Sequence, residues 1–150
     1  MRIRKIRVTD IENLVSLDRS CFSRDIAYSK HTFHSILSYP NSSGLLVEKG
    51  SIVIAFILVH WTDRTAEMIT IDVSSEFRRK GIGTRLLHLT EGELQKRGIV
   101  SEYLHVSTDN DPALSFYRKE GFRLQRRVAC YYSPDQDAYL MVKLLGQRKY

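Results

Sequence analysis

Between Leu45 and Val73 three strand-length runs follow one another with only two-residue turns between them. Leu45 to Glu48 turns through Lys49-Gly50 into Ser51 to Trp61, and Asp63-Arg64 turns that run into Thr65 to Val73. A parallel crossover needs a dozen residues or more, so connections this short can only reverse the chain. The β-branched runs and their tight turns predict an antiparallel meander. The longest apolar stretch, Ile52 to Val59, is strand-length and far short of a membrane span.

On either side of the meander the pattern changes to helical spacing. Upstream, Ile3 to Val8 alternates loosely as a first strand. Thr9 or Asp10 is placed to cap a helix carrying Ile11, Leu14, Val15 and Leu17, which fades near Cys21-Phe22. A polar loop, Ser23 to Tyr28, precedes Ser29, the expected cap of a second helix with Phe33, Ile36 and Leu37. Pro40 to Gly44 is a turn. Downstream, Gly83 to Arg97 is predicted helical, with Ile82, Leu86, Leu89 and Leu94 apolar and Gly98 at the C-cap. Glu102 to Val106 is a strand. Pro112 opens a short helix bearing Ala113, Phe116 and Tyr117, and Gly121 closes it. Strands near Phe122 to Cys130 and Ala138 to Lys143 finish the chain. The sum predicts one α/β (mixed α+β) domain over residues 1–150, its mostly antiparallel sheet covered by helices on both faces. Its 150 residues suit a single core, and no repeat or linker interrupts them.

The formal net charge of +6 favours anionic partners, either nucleic acid or a multiply phosphorylated cofactor. The basic residues are scattered, so most belong to a solvated surface. Cys21 and Cys130 have no metal-ligand spacing, and no signal-type apolar segment follows the basic start. A cytoplasmic protein with no metal is the expectation.

The most informative segment runs from Ile69 to Leu87. A buried strand ends, the turn Arg78-Arg79-Lys80-Gly81-Ile82-Gly83-Thr84 follows, and a long helix begins. Glycines let the backbone turn tightly and let anionic oxygens approach its N–H groups. The helix N-terminus adds unpaired donors and positive dipole charge. The segment lacks the third glycine of a dinucleotide fingerprint and the Gly-Lys-Ser/Thr of a P-loop.

Arg78-x-x-Gly81-x-Gly83 resembles the Arg/Gln-x-x-Gly-x-Gly/Ala motif of the GCN5-related N-acetyltransferases. Asn110-Asp111-Pro112-Ala113-Leu114-Ser115-Phe116-Tyr117 through Gly121-Phe122 is similar to the Asn-x-x-Ala-x-x-Phe-Tyr-x-x-x-Gly-Phe block of the same family. The resemblance spans essentially the whole chain. It implies a sheet whose central strands splay apart and an acetyl-CoA co-substrate whose pyrophosphate sits on the turn, with Arg78, Arg79, Lys80, Gly81, Ile82, Gly83 and Thr84 as contacts. Ile71 and Val73 would pair with the cofactor's amide arm through their backbones, and Asn110 would bond that arm. From spacing alone Asn110 is a helix cap and Tyr117 a core aromatic; the resemblance makes Tyr117 the acid beside the departing sulfur.

Acyl transfer from a thioester needs a neutral amine, a donor for the oxyanion and a proton for the thiolate. His105 and Glu67 are the base candidates. An imidazole suits proton removal near neutrality. Tyr103-Leu104-His105-Val106 resembles the eukaryotic methionine-type N-terminal acetyltransferases, where a histidine here acts through water; the ribosomal-protein alanine type, also similar, has glutamate there. Period-two alternation places Glu67 on one strand face with Ile69 and Ile71. Tyr131-Tyr132 resembles a pair that grips the acceptor's backbone, Tyr28 matches the other wall, and Phe22 would line the pocket for the first side chain. The implied acceptor is a protein or peptide N-terminus, with possible ribosome association among the implied partners. A lysine or small-amine acetyltransferase, and a CoA-binding subunit that docks on a ribosome or nucleic acid, are the alternatives.

Overall fold

The computed structural model describes residues 1–146. Strand β1 (Arg2–Lys5) leads through a 3-10 turn (Val8–Asp10) to helices α1 (Ile11–Cys21) and α2 (Lys30–Ser38). The meander β2 (Ser42–Lys49), β3 (Ile52–Thr62) and β4 (Thr65–Val73) follows. A second 3-10 turn (Ser75–Phe77) precedes α3 (Ile82–Lys96), then β5 (Ser101–Ser107), α4 (Asp111–Lys119), β6 (Arg123–Ser133) and β7 (Gln136–Leu144). The seven strands form one sheet in the order β1-β2-β3-β4-β5-β7-β6. Every neighbouring pair is antiparallel except β4 and β5.

Helices cover both faces. Leu14, Phe33, Leu46, Phe56 and Leu58 fill the core under α1 and α2. Ile57, Leu86, Leu94, Leu104, Phe122 and Met141 fill the core under α3 and α4. Because β3 supplies both cores, its central residues from Ile54 to Val59 are fully enclosed, which is why that run is continuously apolar. The fold is therefore the mixed α/β arrangement expected. Among the described residues no helix is long and apolar enough to cross a membrane.

Local chemistry sets most of the boundaries. The Ser29 hydroxyl accepts the Thr32 N–H at 3.1 Å and starts α2 as predicted. Asp10 stands at the N-cap of α1 but its carboxylate does not cap that helix. It accepts the Arg7 N–H at 2.6 Å and the two Arg4 guanidinium nitrogens at 2.8 and 2.9 Å, which holds its pKa below the usual range. The final three strands depart from chain order, since β7 inserts between β5 and β6.

Strand β4 carries the feature that shapes everything near it. Leu58 pairs with Thr70 but Val59 pairs with Met68, so Ile69 is an extra residue, a β-bulge. A bulge bends its strand and sharpens the twist. It also shifts side chains to the other face: Ile69 packs on the α1/α2 side, whereas Ile71 and Val73 pack on the α3/α4 side. The expectation that Glu67, Ile69 and Ile71 share a face is thus corrected at Ile71.

Under α3, the carboxyl of Glu102 is wholly buried with no hydrogen-bond partner among the described residues. Burial, then neighbouring Glu91, pushes its pKa up to about 10, while Lys143, paired with Glu91 at 2.9 Å, pulls it back. A carboxyl whose pKa rises on folding contributes stability that is lost as pH climbs from the ordinary carboxylate range toward the folded value. Glu102→Gln should therefore flatten the decline in stability between about pH 4.3 and pH 10 and exceed the parent protein at pH 8, as read from urea melts across that range.

Candidate active site

Strands β4 and β5 pair at only three positions, Thr65 with Ser101, Ala66 with Glu102 and Glu67 with Tyr103. Beyond Glu67 they part. The second half of β4 then has a strand partner, β3, on one side only, and a wedge opens beside the stretch from Ile69 to Val73.

At the far end of β4 the chain makes the glycine-rich turn. Arg79 has φ of +61° and Gly81 has φ of +81°, so left-handed residues alternate with Lys80 between them. Such alternation turns successive N–H groups toward a common concavity suited to an anion. The N–H groups of Ile82, Gly83 and Thr84 open α3 and have no carbonyl one turn back. Arg85 is the first to close a turn, onto the Gly81 carbonyl at 3.0 Å. Gly83 lies against the Phe116 ring of α4, where a Cβ would stand 3.4 Å away in ordinary contact. Arg78 reaches back across the turn: its Nε donates to the Val73 carbonyl at 2.9 Å and Nη2 contacts Cys21 Sγ at 3.6 Å. The Thr84 hydroxyl is already engaged, donating to Glu120 at 3.0 Å, which leaves its backbone as the available contact.

Helix α4 borders the wedge from the other side. Its N-cap is Asn110, whose side chain accepts the Ala113 N–H at 3.2 Å, so the capping role is realised. About two turns later Tyr117 is buried, edge-on to Phe116 and Phe122. Burial pushes its phenol pKa upward, and Asp72 and then Tyr28 add to the shift. Tyr117 therefore keeps its proton at any physiological pH.

Glu67, Tyr103 and His105 lie on the α1/α2 side of the sheet, where β4 and β5 begin to separate. The His105 ring stacks on Tyr131 with centroids 4.1 Å apart and planes 11° apart, and Tyr103 meets it edge-on at 6.2 Å. Its Nδ1 is buried without a hydrogen-bond partner among the described residues. Burial, with Arg126 adding, lowers the His105 pKa, so the imidazole is neutral and able to accept a proton near pH 7. Burial raises the Glu67 pKa, opposed by His60, which pairs with it across β3.

Tyr28, Tyr131 and Tyr132 surround these groups. The Tyr28 hydroxyl donates to the Ile69 carbonyl at 3.4 Å, and its backbone N–H donates to Asp18 at 2.7 Å. Burial is the main cause of the raised pKa of all three phenols. Tyr131 and Tyr132 touch edge to face at 4.8 Å. Phe22 stands half-buried at the end of α1, at the mouth of the loop that carries Tyr28. The structure thus gathers Glu67, His105, Tyr28, Tyr131 and Tyr132 around the parting strands, with the glycine turn at the other end of β4.

Sequence reasoning missed the buried acids beneath this site. Asp18 of α1 and Asp72 of β4 are both buried, and Thr70 donates to Asp72 at 2.6 Å. Burial pushes both carboxyls up, Asp72 strongly, with Asp18 its second cause. The signal available was the Thr70-x-Asp72 alternation inside an otherwise apolar strand.

The sequence model of the Acetyltransferase (GNAT) family matches residues 11–122, from α1 to the end of the α4 turn. The chain belongs to the GNAT acetyltransferase family. As a GNAT enzyme it moves an acetyl group from acetyl-CoA to an amine. It is 31% identical to the N-alpha-acetyltransferase RimI of Mycobacterium tuberculosis over 137 residues, covering 88% of this chain and 85% of that one. Its fold superposes on Ard1 of Thermoplasma volcanium with a TM-score of 0.88 at 26% identity, covering 97% and 98% of the two chains. The PaiA N-acetyltransferase of Thermoplasma acidophilum in complex with coenzyme A matches with a TM-score of 0.80 at 25% identity over 95% and 98%.

The residues present fit such a co-substrate: a turn of alternating left-handed residues that opens a helix N-terminus stands at one end of a half-paired strand, and the buried Tyr117 phenol lies on the helix beside it. Gly81→Ala places a side chain at φ of +81° and should cost about 1–2 kcal/mol in stability. Calorimetry should show its acetyl-CoA affinity lowered by about tenfold, equivalent to about 1.4 kcal/mol.

Proposed function

We propose that this GNAT enzyme acetylates the N-terminal α-amino group of a protein or peptide by direct transfer. The observation that carries the reading is the cluster of His105, Tyr131, Tyr132 and Glu67 where β4 and β5 part, with the imidazole held neutral by burial and the buried Tyr117 phenol of α4 held protonated. Groups whose environments push their pKa values apart are suited to acid and base roles in one reaction.

Acetyl-CoA supplies the thioester carbonyl. On this reading the turn Arg78, Arg79, Lys80, Gly81, Ile82, Gly83 and Thr84 holds its pyrophosphate, chiefly through main-chain N–H groups. The backbones of Ile71 and Val73 and the side chain of Asn110 align its amide arm, with Asn110 exchanging or sharing its cap. His105 accepts the amine proton, directly or through water, with Glu67 on the neighbouring strand as the second base. Tyr117 Oη donates a proton to the departing sulfur, whose own pKa of about 8.5 asks for little help. Tyr28, Tyr131 and Tyr132 enclose the acceptor's first backbone groups and Phe22 lies toward its first side chain.

An α-amino group has a pKa of about 7.7–8.0 against about 10.4 for lysine, so a weak base such as a depressed imidazole suffices for the former alone. The relatives named N-alpha-acetyltransferase support the same acceptor class. We place the reaction in the cytoplasm, on newly made chains at or near the ribosome.

Peptides with free N-termini should be acetylated and their N-terminally blocked, lysine-containing counterparts left unmodified; equal rates on the two sets would refute the acceptor assignment. His105→Ala should lower kcat/KM by about 100-fold and Glu67→Ala by less, the usual size of a lost general base. The lowered His105 pKa puts an acidic limb of the kcat profile, read at saturating peptide, below the ordinary histidine value of about 6.5, and this limb should vanish in His105→Ala. A profile unchanged by that substitution would reject His105 as the base.

A further inference from the structure

Strand β6 is the outer edge of the sheet, and its pairing with β7 fails where it matters for the site. Val128 pairs with Ala138 and Ser133 pairs with Gln136, so four residues, 129 to 132, stand opposite the single residue Asp137. A bulge this large has lost the ladder that would hold it. Cys130 within it adopts φ of +55°, a conformation that a side chain disfavours and that needs outside support.

That support comes from one side chain. Asp137 Oδ1 accepts the Cys130 N–H at 2.8 Å, taking the place of the missing strand carbonyl. Asp137 Oδ2 accepts Arg127 Nε at 2.8 Å and pairs with Nη2 at the same distance, Arg127 lying two residues before the bulge begins. These contacts hold its pKa below the usual range, the Cys130 N–H being the larger cause, so the carboxylate is charged wherever the enzyme works. The Asp137 backbone carbonyl meanwhile accepts the Thr108 N–H at 3.2 Å, in the loop that leads to Asn110 and α4. Asp137 therefore sits between the bulge and the segment that carries the acid helix.

What the bulge presents is Tyr131 and Tyr132. In a regular ladder neighbouring residues alternate across the sheet, and these two would point to opposite faces. Here they touch each other, and Tyr131 lies flat on His105. Tyr131 is 41% exposed, so packing from above does not hold it in place.

We propose that Asp137 is a positioning residue for the acceptor site: its carboxylate stands in for the missing strand partner, fixes the 129–132 bulge, and so holds Tyr131 over His105 with Tyr132 against it. The Arg127 ion pair is half-exposed and contributes little by itself. The bond to the Cys130 N–H carries the effect. This assignment rests on the acceptor reading given above for its kinetic consequence, but its structural consequence stands apart from that reading.

The test therefore reads both. In Asp137→Ala the KM for a free-N-terminus peptide should rise by about tenfold or more, the size expected of a displaced positioning group, with the KM for acetyl-CoA unchanged. Asp137→Asn keeps an oxygen for the Cys130 N–H and should recover most of the loss, and Arg127→Ala should have little effect. Independently, the His105 ring-proton resonances, shifted upfield by the stacked Tyr131, should move toward unstacked positions in Asp137→Ala and stay put in Asp137→Asn. If Asp137→Ala does not fold, Asp137→Glu, which carries the charge one methylene too far, gives the same two readings. His105 resonances unmoved in a folded Asp137→Ala or Asp137→Glu protein, or an unchanged peptide KM, would overturn the proposal. If the unaltered enzyme ignores peptide N-termini while the resonances still move, the acceptor reading fails and the positioning role stands.

Discussion

The site depends on a sheet that comes apart in its middle. An internal strand normally satisfies its N–H and C=O groups on both edges, and leaving them unpaired inside a protein is costly. Strand β4 has only β3 beside it after Glu67. Two of its carbonyls are taken by side chains instead: Tyr28 donates to Ile69 and Arg78 donates to Val73. One donor comes from the loop proposed to hold the acceptor and the other from the turn proposed to hold the pyrophosphate. The parting of the strands is thus braced from both ends of the site it creates.

Electrostatics follow from the same geometry. Tyr117 lies buried on the α4 side of the sheet, and Asp72 lies buried against Asp18 on the α1 side. Burial raises the pKa of Tyr117, Asp72 and Asp18 and lowers that of His105, because in each case it disfavours the charged form. No single charged partner is needed to produce a proton donor and a proton acceptor in one place. At the sheet edge the opposite holds: Asp137, solvated and bonded to a backbone N–H and an arginine, stays firmly ionised.

Features governed by neighbours in sequence were legible. The Ser29 cap, the span of β4 from Thr65 to Val73, the glycine turn and the helix opened by Pro112 all follow from local chemistry, and the structure has them. Features that depend on distant partners were not. Nothing in Ile69 itself announces a bulge, since isoleucine is at home in a regular strand; the extra residue appears only against β3, and Ile71 consequently faces the other core. The insertion of β7 between β5 and β6 is a pairing choice that period-two alternation cannot rank. Tyr131 and Tyr132 could be picked out as a pair from their resemblance, but their stacking on His105 depends on a carboxylate from the next strand. The identity of Tyr117 as an acid likewise came from resemblance, because its spacing alone describes a core aromatic.

Amide hydrogen exchange along β4 tests the half-paired strand most directly. Residues 68–73 should contain amides that exchange readily in the free protein because no strand lies beyond them, while the alternate amides bonded to β3 stay protected. Adding acetyl-CoA should slow the exposed set selectively, along with the amides of residues 78–84. Uniform protection of β4 before ligand is added, or an exchange pattern that acetyl-CoA leaves unchanged at saturating concentration, would contradict the account.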